Sequence, residues 1–267
     1  RAEQLLKDLI ELSEEHEADA KVLLLEVFEA SRDWEQARVL AESQLKQVLA
    51  TTVTPGSKAK ADKIKARLCN YCCESAEDQE AKSEWVVARN EAAEGLRWDD
   101  TSIWPHLIMA RIDVQEGATQ QAFDRLMSAA KVAPNRLPEF IEPLREVCDA
   151  LDYRARLVST ISELLDARND PQLRALLAEE YLFDGNEVAA LDILVQGLDQ
   201  RPTSALLQKT LELMSERVSC PEVVEAARKL SIKQSTYLCG VCGFHGPSFY
   251  WQCPGCKNWD TLYRPAR

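Results

Sequence analysis

WPHLIMARIDVQEGATQQAFDRLMSAAKVAP, residues 104–134, decides the fold, because it has a counterpart 68 residues on: QLRALLAEEYLFDGNEVAALDILVQGLDQRP, residues 172–202. Gly117 aligns with Gly185, Ala122 with Ala190, Leu126 with Leu194, Ala129 with Gly197 and Pro134 with Pro202. Each segment reads as two antiparallel helices. Glycine at the turn accepts a positive φ without a Cβ clash. Alanine on the second helix lets the first approach closely. Proline ends the second helix, since it has no N–H to continue the ladder.

A shift of 68 residues is two periods of 34, the signature of tetratricopeptide repeats. The expected fold class is therefore all-α, a tetratricopeptide-repeat superhelix of about six units or part-units running from Arg1 to about Leu230. A lone pair of helices cannot bury its apolar face, so the units stack. The unit between the two quoted segments, about Leu137 to Asp170, is degenerate. It lacks a turn glycine, Pro138 suits the first helical position, and Pro143 predicts a kink one turn further in. Upstream, EWVVARNEAAEGLRWDD (84–100) reads as a second helix with Ala88, Ala92 and Gly95 at the small positions. VLLLEVFEASRDWEQARVLAESQLKQVL (22–49) reads as a further pair with Ala37 and Ala41 small. TTVTPGS (51–57) reads as a loop where Pro55-Gly56 breaks the helix, followed by an overlong helix from about Ser57 to Glu77. Trp34, Trp85, Trp98 and Trp104 are expected to pack in this helical body.

The composition changes after Gln234-Ser235. Residues 235–267 hold four of the nine glycines, several aromatics and CGVCGFHGPSFYWQCPGC (239–256). Cys239, Cys242, Cys253 and Cys256 form C-x2-C-x10-C-x2-C, which offers four thiolates to one tetrahedral ion. Iron and zinc both accept that set, and the spacing leaves the choice open. Gly240, Gly243, Gly255 and Pro254 suit tight knuckles whose N–H groups point at sulfur. So small a segment buries little core, so metal binding supplies its folding free energy, on the order of 10 kcal/mol in zinc peptides. His245 is not needed as a ligand. The domain organisation expected is 1–234, repeat helices, and 235–267, a metal module. That module is predicted to pack on the helices, with Trp251 or Trp259 at the seam.

The formal net charge is −12. Residues 235–267 carry Lys257, Arg264 and Arg267 against Asp260, a net of +2, which leaves −14 on the rest. An acidic body argues against phosphate-backbone binding, so nucleic acid is not an expected partner. Cys69, Cys72, Cys73, Cys148 and Cys220 are scattered through helical sequence and read as thiols packed in a reducing compartment. No run of roughly 18 apolar residues appears, and an upstream segment is expected before Arg1. The chain has no P-loop, no G-x-G-x-x-G after a strand, no H-E-x-x-H and no nucleophile elbow, and the reading is a non-enzyme. The repeat register puts Arg111, Arg145 and Glu179 at equivalent places on first helices, where they are candidates to line a groove and read a partner.

Tetratricopeptide repeats followed by YLCGVCGFHGPSFYWQCPGCKNWDTLY (237–263) resemble the lipopolysaccharide assembly protein B family of Gram-negative bacteria. The resemblance implies a C-terminal rubredoxin-like module, with Cys239, Cys242, Cys253 and Cys256 holding one iron or zinc ion. It implies an adaptor on the cytoplasmic face of the inner membrane, anchored by an N-terminal transmembrane helix that this chain lacks. The implied partners are the FtsH membrane protease, the lipid A pathway deacetylase whose degradation it promotes, and other lipopolysaccharide assembly proteins, and a homodimer is left open. The knuckles also resemble the short zinc ribbon of RadA-type DNA-repair ATPases, which carry a P-loop absent here. The alternatives kept open are a zinc-ribbon nucleic-acid-binding protein and a rubredoxin-like electron carrier.

Overall fold

A computed structural model describes residues 2–12, 16–50, 54–215 and 237–264. It is almost entirely helical up to residue 215. The helices are α1 (Ala2–Leu12), α2 (Glu17–Ser31), α3 (Trp34–Leu49), α4 (Pro55–Glu80), α5 (Trp85–Trp98), α6 (Trp104–Gln115), α7 (Thr119–Val132), α8 (Leu137–Leu151), α9 (Arg154–Arg168), α10 (Pro171–Phe183), α11 (Glu187–Gln200) and α12 (Ser204–Ser215). A 3-10 turn, Pro134–Arg136, leads into α8. First helices begin at 104, 137, 171 and 204, and second helices at 85, 119, 154 and 187. The period of about 34 is thus a spacing of elements. Short connections force neighbouring helices antiparallel.

The chain divides into two compact units, Arg1–Arg125 and Leu126–Arg267, so the boundary falls inside α7. In the first unit α4 packs on α3, α5 and α6; in the second, α10 packs on α9, α11 and α12. The boundary expected between residues 234 and 235 lies outside the described residues, as does Cys220.

The small positions do the packing. Ala37, Ala41, Ala88, Ala92, Ala122, Ala129, Ala190 and Leu194 are fully buried. A Cβ on Gly197 would come within 2.9 Å of both Arg174 Cδ and Leu206 Cδ1, so glycine is what lets α11 sit against α10 and α12. Gly117 and Gly185 both adopt positive φ, 76° and 72°, at their turns. The degenerate unit makes its turn without glycine: Asp152 takes φ 55° there. α8 is distorted at Phe140 (φ −132°, ψ 18°), one turn before Pro143. That is where the proline ring and its missing donor disturb the ladder.

One local expectation fails. Pro55 and Gly56 do not break a helix but open α4. Thr54 Oγ1 accepts the Ser57 N–H at 3.1 Å, and Ser57 Oγ accepts the Thr54 N–H at 2.8 Å. This reciprocal cap, with proline at the first helical position, is a strong start signal. Trp34 and Trp104 are buried, whereas Trp85 and Trp98 are only half-buried.

Candidate metal centre

The tail folds around its cysteines. Three short strands, β1 (Tyr237–Cys239), β2 (His245–Gly246) and β3 (Leu262–Tyr263), form an antiparallel sheet in the order β2-β1-β3. The first knuckle leaves β1 at Cys239 and the second is carried by a loop from Trp251 to Asp260. The two knuckles are built alike. Gly243 N–H donates to Cys239 O at 3.0 Å, and Lys257 N–H donates to Cys253 O at 2.9 Å. Both fourth-after-cysteine residues have positive φ, Gly243 73° and Lys257 57°. Glycine marks the first in the sequence; lysine gives no such signal in the second.

The sulfurs of Cys239, Cys242, Cys253 and Cys256 all lie within 4.8 Å of one another. Cys239 and Cys256 sulfurs are 3.7 Å apart, as are those of Cys242 and Cys253. Bonds of about 2.3 Å to a central zinc require tetrahedral edges of about 3.8 Å, so the cluster is already the size of a metal site. Val241 N–H points at Cys239 Sγ at 3.4 Å, and Thr261 Oγ1 lies 3.2 Å from the same sulfur. A Cβ on Gly255 would come within 3.3 Å of Cys242 Sγ, so that glycine keeps the cradle open.

The thiols divide in acidity. Burial alone would raise Cys239, but Thr261 and the N–H groups of Cys242 and Val241 draw it down to about 6. Phe244 N–H favours the Cys242 thiolate, but desolvation and the other three thiols push it up to about 12. Four thiolates this close repel, and a bound cation removes that conflict. The cluster can therefore hold one iron or zinc ion in a closed four-sulfur site.

The module rests on the start of α8. Arg136 Nη1 donates to Asp260 Oδ1 at 2.5 Å, and its guanidinium lies 4.6 Å from the ring centroids of both Phe249 and Trp251. Tyr237 Oη donates to Glu139 Oε1 at 3.3 Å. Arg264 stacks over the Tyr237 ring. Trp259 is half-buried within the module and pairs through its backbone with Gln252. His245 is exposed on β2 and outside the cluster. Nothing in the sequence marks Arg136, which is 103 residues from the first cysteine of the cluster.

The three groove candidates are engaged in ion pairs between neighbouring repeats. Arg111 Nη2 reaches Glu77 at 3.0 Å and Glu80 at 2.8 Å. Arg145 reaches Glu179 at 2.8 Å and the buried Glu180 at 2.6 Å, and Glu179 also pairs with Lys209. Arg145, Glu179, Arg154, Asp149 and the exposed Phe183 border a cavity of about 410 Å³. Of the scattered thiols, Cys69, Cys72, Cys73 and Cys148 are buried, and burial pushes Cys72 up to about 12 and Cys148 up to about 11, in each case despite a nearby arginine. They are packing groups.

Residues 237–263 match the family described as rubredoxin metal binding domain. Lipopolysaccharide assembly protein B of Escherichia coli K12 is 23% identical over 255 residues, covering 91% of this chain and 61% of that protein. Its Haemophilus influenzae counterpart is 23% identical over 269 residues, covering 98% of this chain and 64% of that protein. The chain thus spans about three fifths of the length of these curated relatives and is similar to them from the repeats through the metal module. Among solved structures, Pseudomonas aeruginosa pilF aligns at TM-score 0.40 and 18% identity, over 78% of this chain and 87% of that one. A thermophilic TPR protein of Thermus thermophilus aligns at TM-score 0.35 and 18% identity, over 75% of this chain and 97% of that one.

Proposed function

We propose that this chain is the repeat-and-metal portion of a non-catalytic adaptor in lipopolysaccharide biosynthesis, working at the cytoplasmic face of the inner membrane. Its task is to bring the lipid A pathway deacetylase to the FtsH protease and so promote its degradation. The observation that carries this reading is the similarity to lipopolysaccharide assembly protein B along 91–98% of the chain, four-cysteine module included. The division of labour follows from the chemistry. Stacked helices offer a long surface to a folded client, and a closed four-sulfur centre has no open position for hydrolysis. Arg111, Arg145 and Glu179 are the residues by which the first-helix faces meet that client, and the cavity beside Arg145 and Glu179 is one such meeting point.

The test is capture of the deacetylase and of FtsH from cells by the full-length protein, compared with a Cys253→Ser, Cys256→Ser variant. Loss of deacetylase capture with slower deacetylase turnover is expected. Unchanged capture and unchanged turnover would remove the metal module from the adaptor mechanism.

A further inference from the structure

The loop that carries the second knuckle is gripped from outside by a residue of the helical body. Its two ends are zipped together: Asp260 N–H donates to Trp251 O at 2.8 Å, and inside that, Cys253 N–H donates to Asn258 O at 2.8 Å. Arg136 touches both ends at once. Its Nη1 takes the Asp260 carboxylate, and its flat face lies on the Trp251 ring at one end and on Phe249 just before it. Phe249 and Trp251 are themselves packed edge to face at 5.0 Å. Among the described residues, the hydrogen-bond partner of this guanidinium is on the module, and Nη2 is buried without a partner, as is Oε2 of neighbouring Glu139. The 3-10 turn before α8 therefore presents a largely buried arginine whose ion pair and ring contacts go to the loop holding Cys253 and Cys256 and to the aromatic residue leading into it.

From this geometry we infer that Arg136 is a positioning residue for the metal centre: by clasping Trp251 and Asp260 it holds the second knuckle closed, so that docking on α8 and metal retention are one coupled event. Coupling of this kind is reciprocal. If the clasp favours the closed knuckle, it tightens metal binding; if the metal closes the knuckle, it strengthens the clasp. Groups outside the ligand set that orient ligands commonly change metal affinity by about 10–100-fold. Arg136 acts from the helical body, so the module's metal state is communicated to the first turn of α8. The coupling holds whichever client the adaptor serves.

The test uses the full chain loaded with Zn²⁺ alone and a chromophoric chelator as competitor. Arg136→Ala should lose zinc about tenfold more readily than the parent, with its helical circular dichroism retained. Arg136→Lys keeps the charge but loses the flat stacking face, and should fall between. Asp260→Asn removes the charge of the same ion pair from the module side and leaves the helices untouched, so it decides the matter if Arg136→Ala does not fold. Hydrogen exchange supplies the reciprocal readout: stripping zinc from the parent should expose the amides of residues 137 and 139–142, whereas in Arg136→Ala they are exposed already. Equal zinc retention in the parent, Arg136→Ala and Asp260→Asn would overturn the inference, as would failure of the parent to bind zinc.

Discussion

Arg145 and Glu179, one 34-residue period apart in sequence, meet as an ion pair at 2.8 Å, and the same arginine holds Glu180 at 2.6 Å. Glu180 is only 1% exposed and has Arg154 Nη1 as its other partner at 2.7 Å. The stacking of α8 on α10 thus depends on a buried carboxylate shared by two guanidinium groups. Truncating one of them strands charge in the interior, which costs far more than losing a surface pair. Arg145→Ala should destabilise the chain by about 2–3 kcal/mol, reduced from the full penalty because Arg154 remains. Arg111 is 42% exposed and its partner Glu77 37%, with only Glu80 largely buried, so Arg111→Ala should cost less, about 1 kcal/mol. Urea unfolding followed by far-UV circular dichroism compares the two, and equal losses would contradict the assignment of burial as the cause.

Metal removal should affect the two parts of the chain unequally. The module's own core is little more than Tyr237, Cys239, Cys253 and Leu262, backed by Phe244 and Phe249, too small to fold without its ion. A chelator, or Cys253→Ser with Cys256→Ser, should abolish the fixed environment of Trp251 while leaving the helical signal nearly intact. Elemental analysis should find one iron or zinc per chain in the parent. Near-UV circular dichroism of the tryptophans before and after chelation is the direct measurement.

The repeat architecture was legible in the sequence because its markers are backbone requirements. Gly117 and Gly185 stand where φ is positive, and Ala122 and Ala190 stand where helices touch. The cysteine spacing was legible because few arrangements place four sulfurs around one ion. Features that rest on particular side chains meeting were not legible. Asp152 and Lys257 fill positive-φ positions that composition does not announce. Pro55-Gly56 looks like a break until the Thr54–Ser57 cap is seen. Arg136 reads as an ordinary solvated charge, because nothing local shows that residues 249–260 come back to it.

Stability should fall as pH rises through the range of one partly buried carboxyl. Burial pushes Glu74 up to about 7; Glu77 and Asp78 add to the effect, and Arg32, which donates to it at 3.2 Å, opposes it. In the unfolded chain the same carboxyl titrates at the ordinary value near 4.5. Between those values the folded state holds the extra proton, so this contribution is fully present below about pH 4.5 and lost by about pH 7. Glu74→Gln mimics the protonated form and should flatten that slope. The thermal midpoint at about pH 5 and about pH 8, for parent and variant, is the measurement; a parent that gains stability across this range with the same slope as Glu74→Gln would exclude the effect.

Two glycines of the same unit should respond to alanine for different reasons. Gly185 has φ 72° and open space around the position of a Cβ, so Gly185→Ala meets no atom and is opposed only by backbone conformation. That costs about 1 kcal/mol. Gly197 has ordinary helical φ, but its Cβ would lie 2.9 Å from Arg174 Cδ and from Leu206 Cδ1. Arg174 cannot yield freely, because its guanidinium is tied to Asn169 and to Gln200 at 2.7 Å each. Leu206 is fully buried beside Ala190 and Leu194. Gly197→Ala should therefore push α11 from its neighbours and cost about 2–3 kcal/mol, typical of overpacking, even though alanine is the better helix former. Hydrogen exchange separates the two mechanisms: Gly197→Ala should speed exchange along α10, α11 and α12 together, whereas Gly185→Ala should act mainly at the turn it occupies. A Gly197→Ala variant as stable as the parent would show that the α11 contact is not packed to this tolerance.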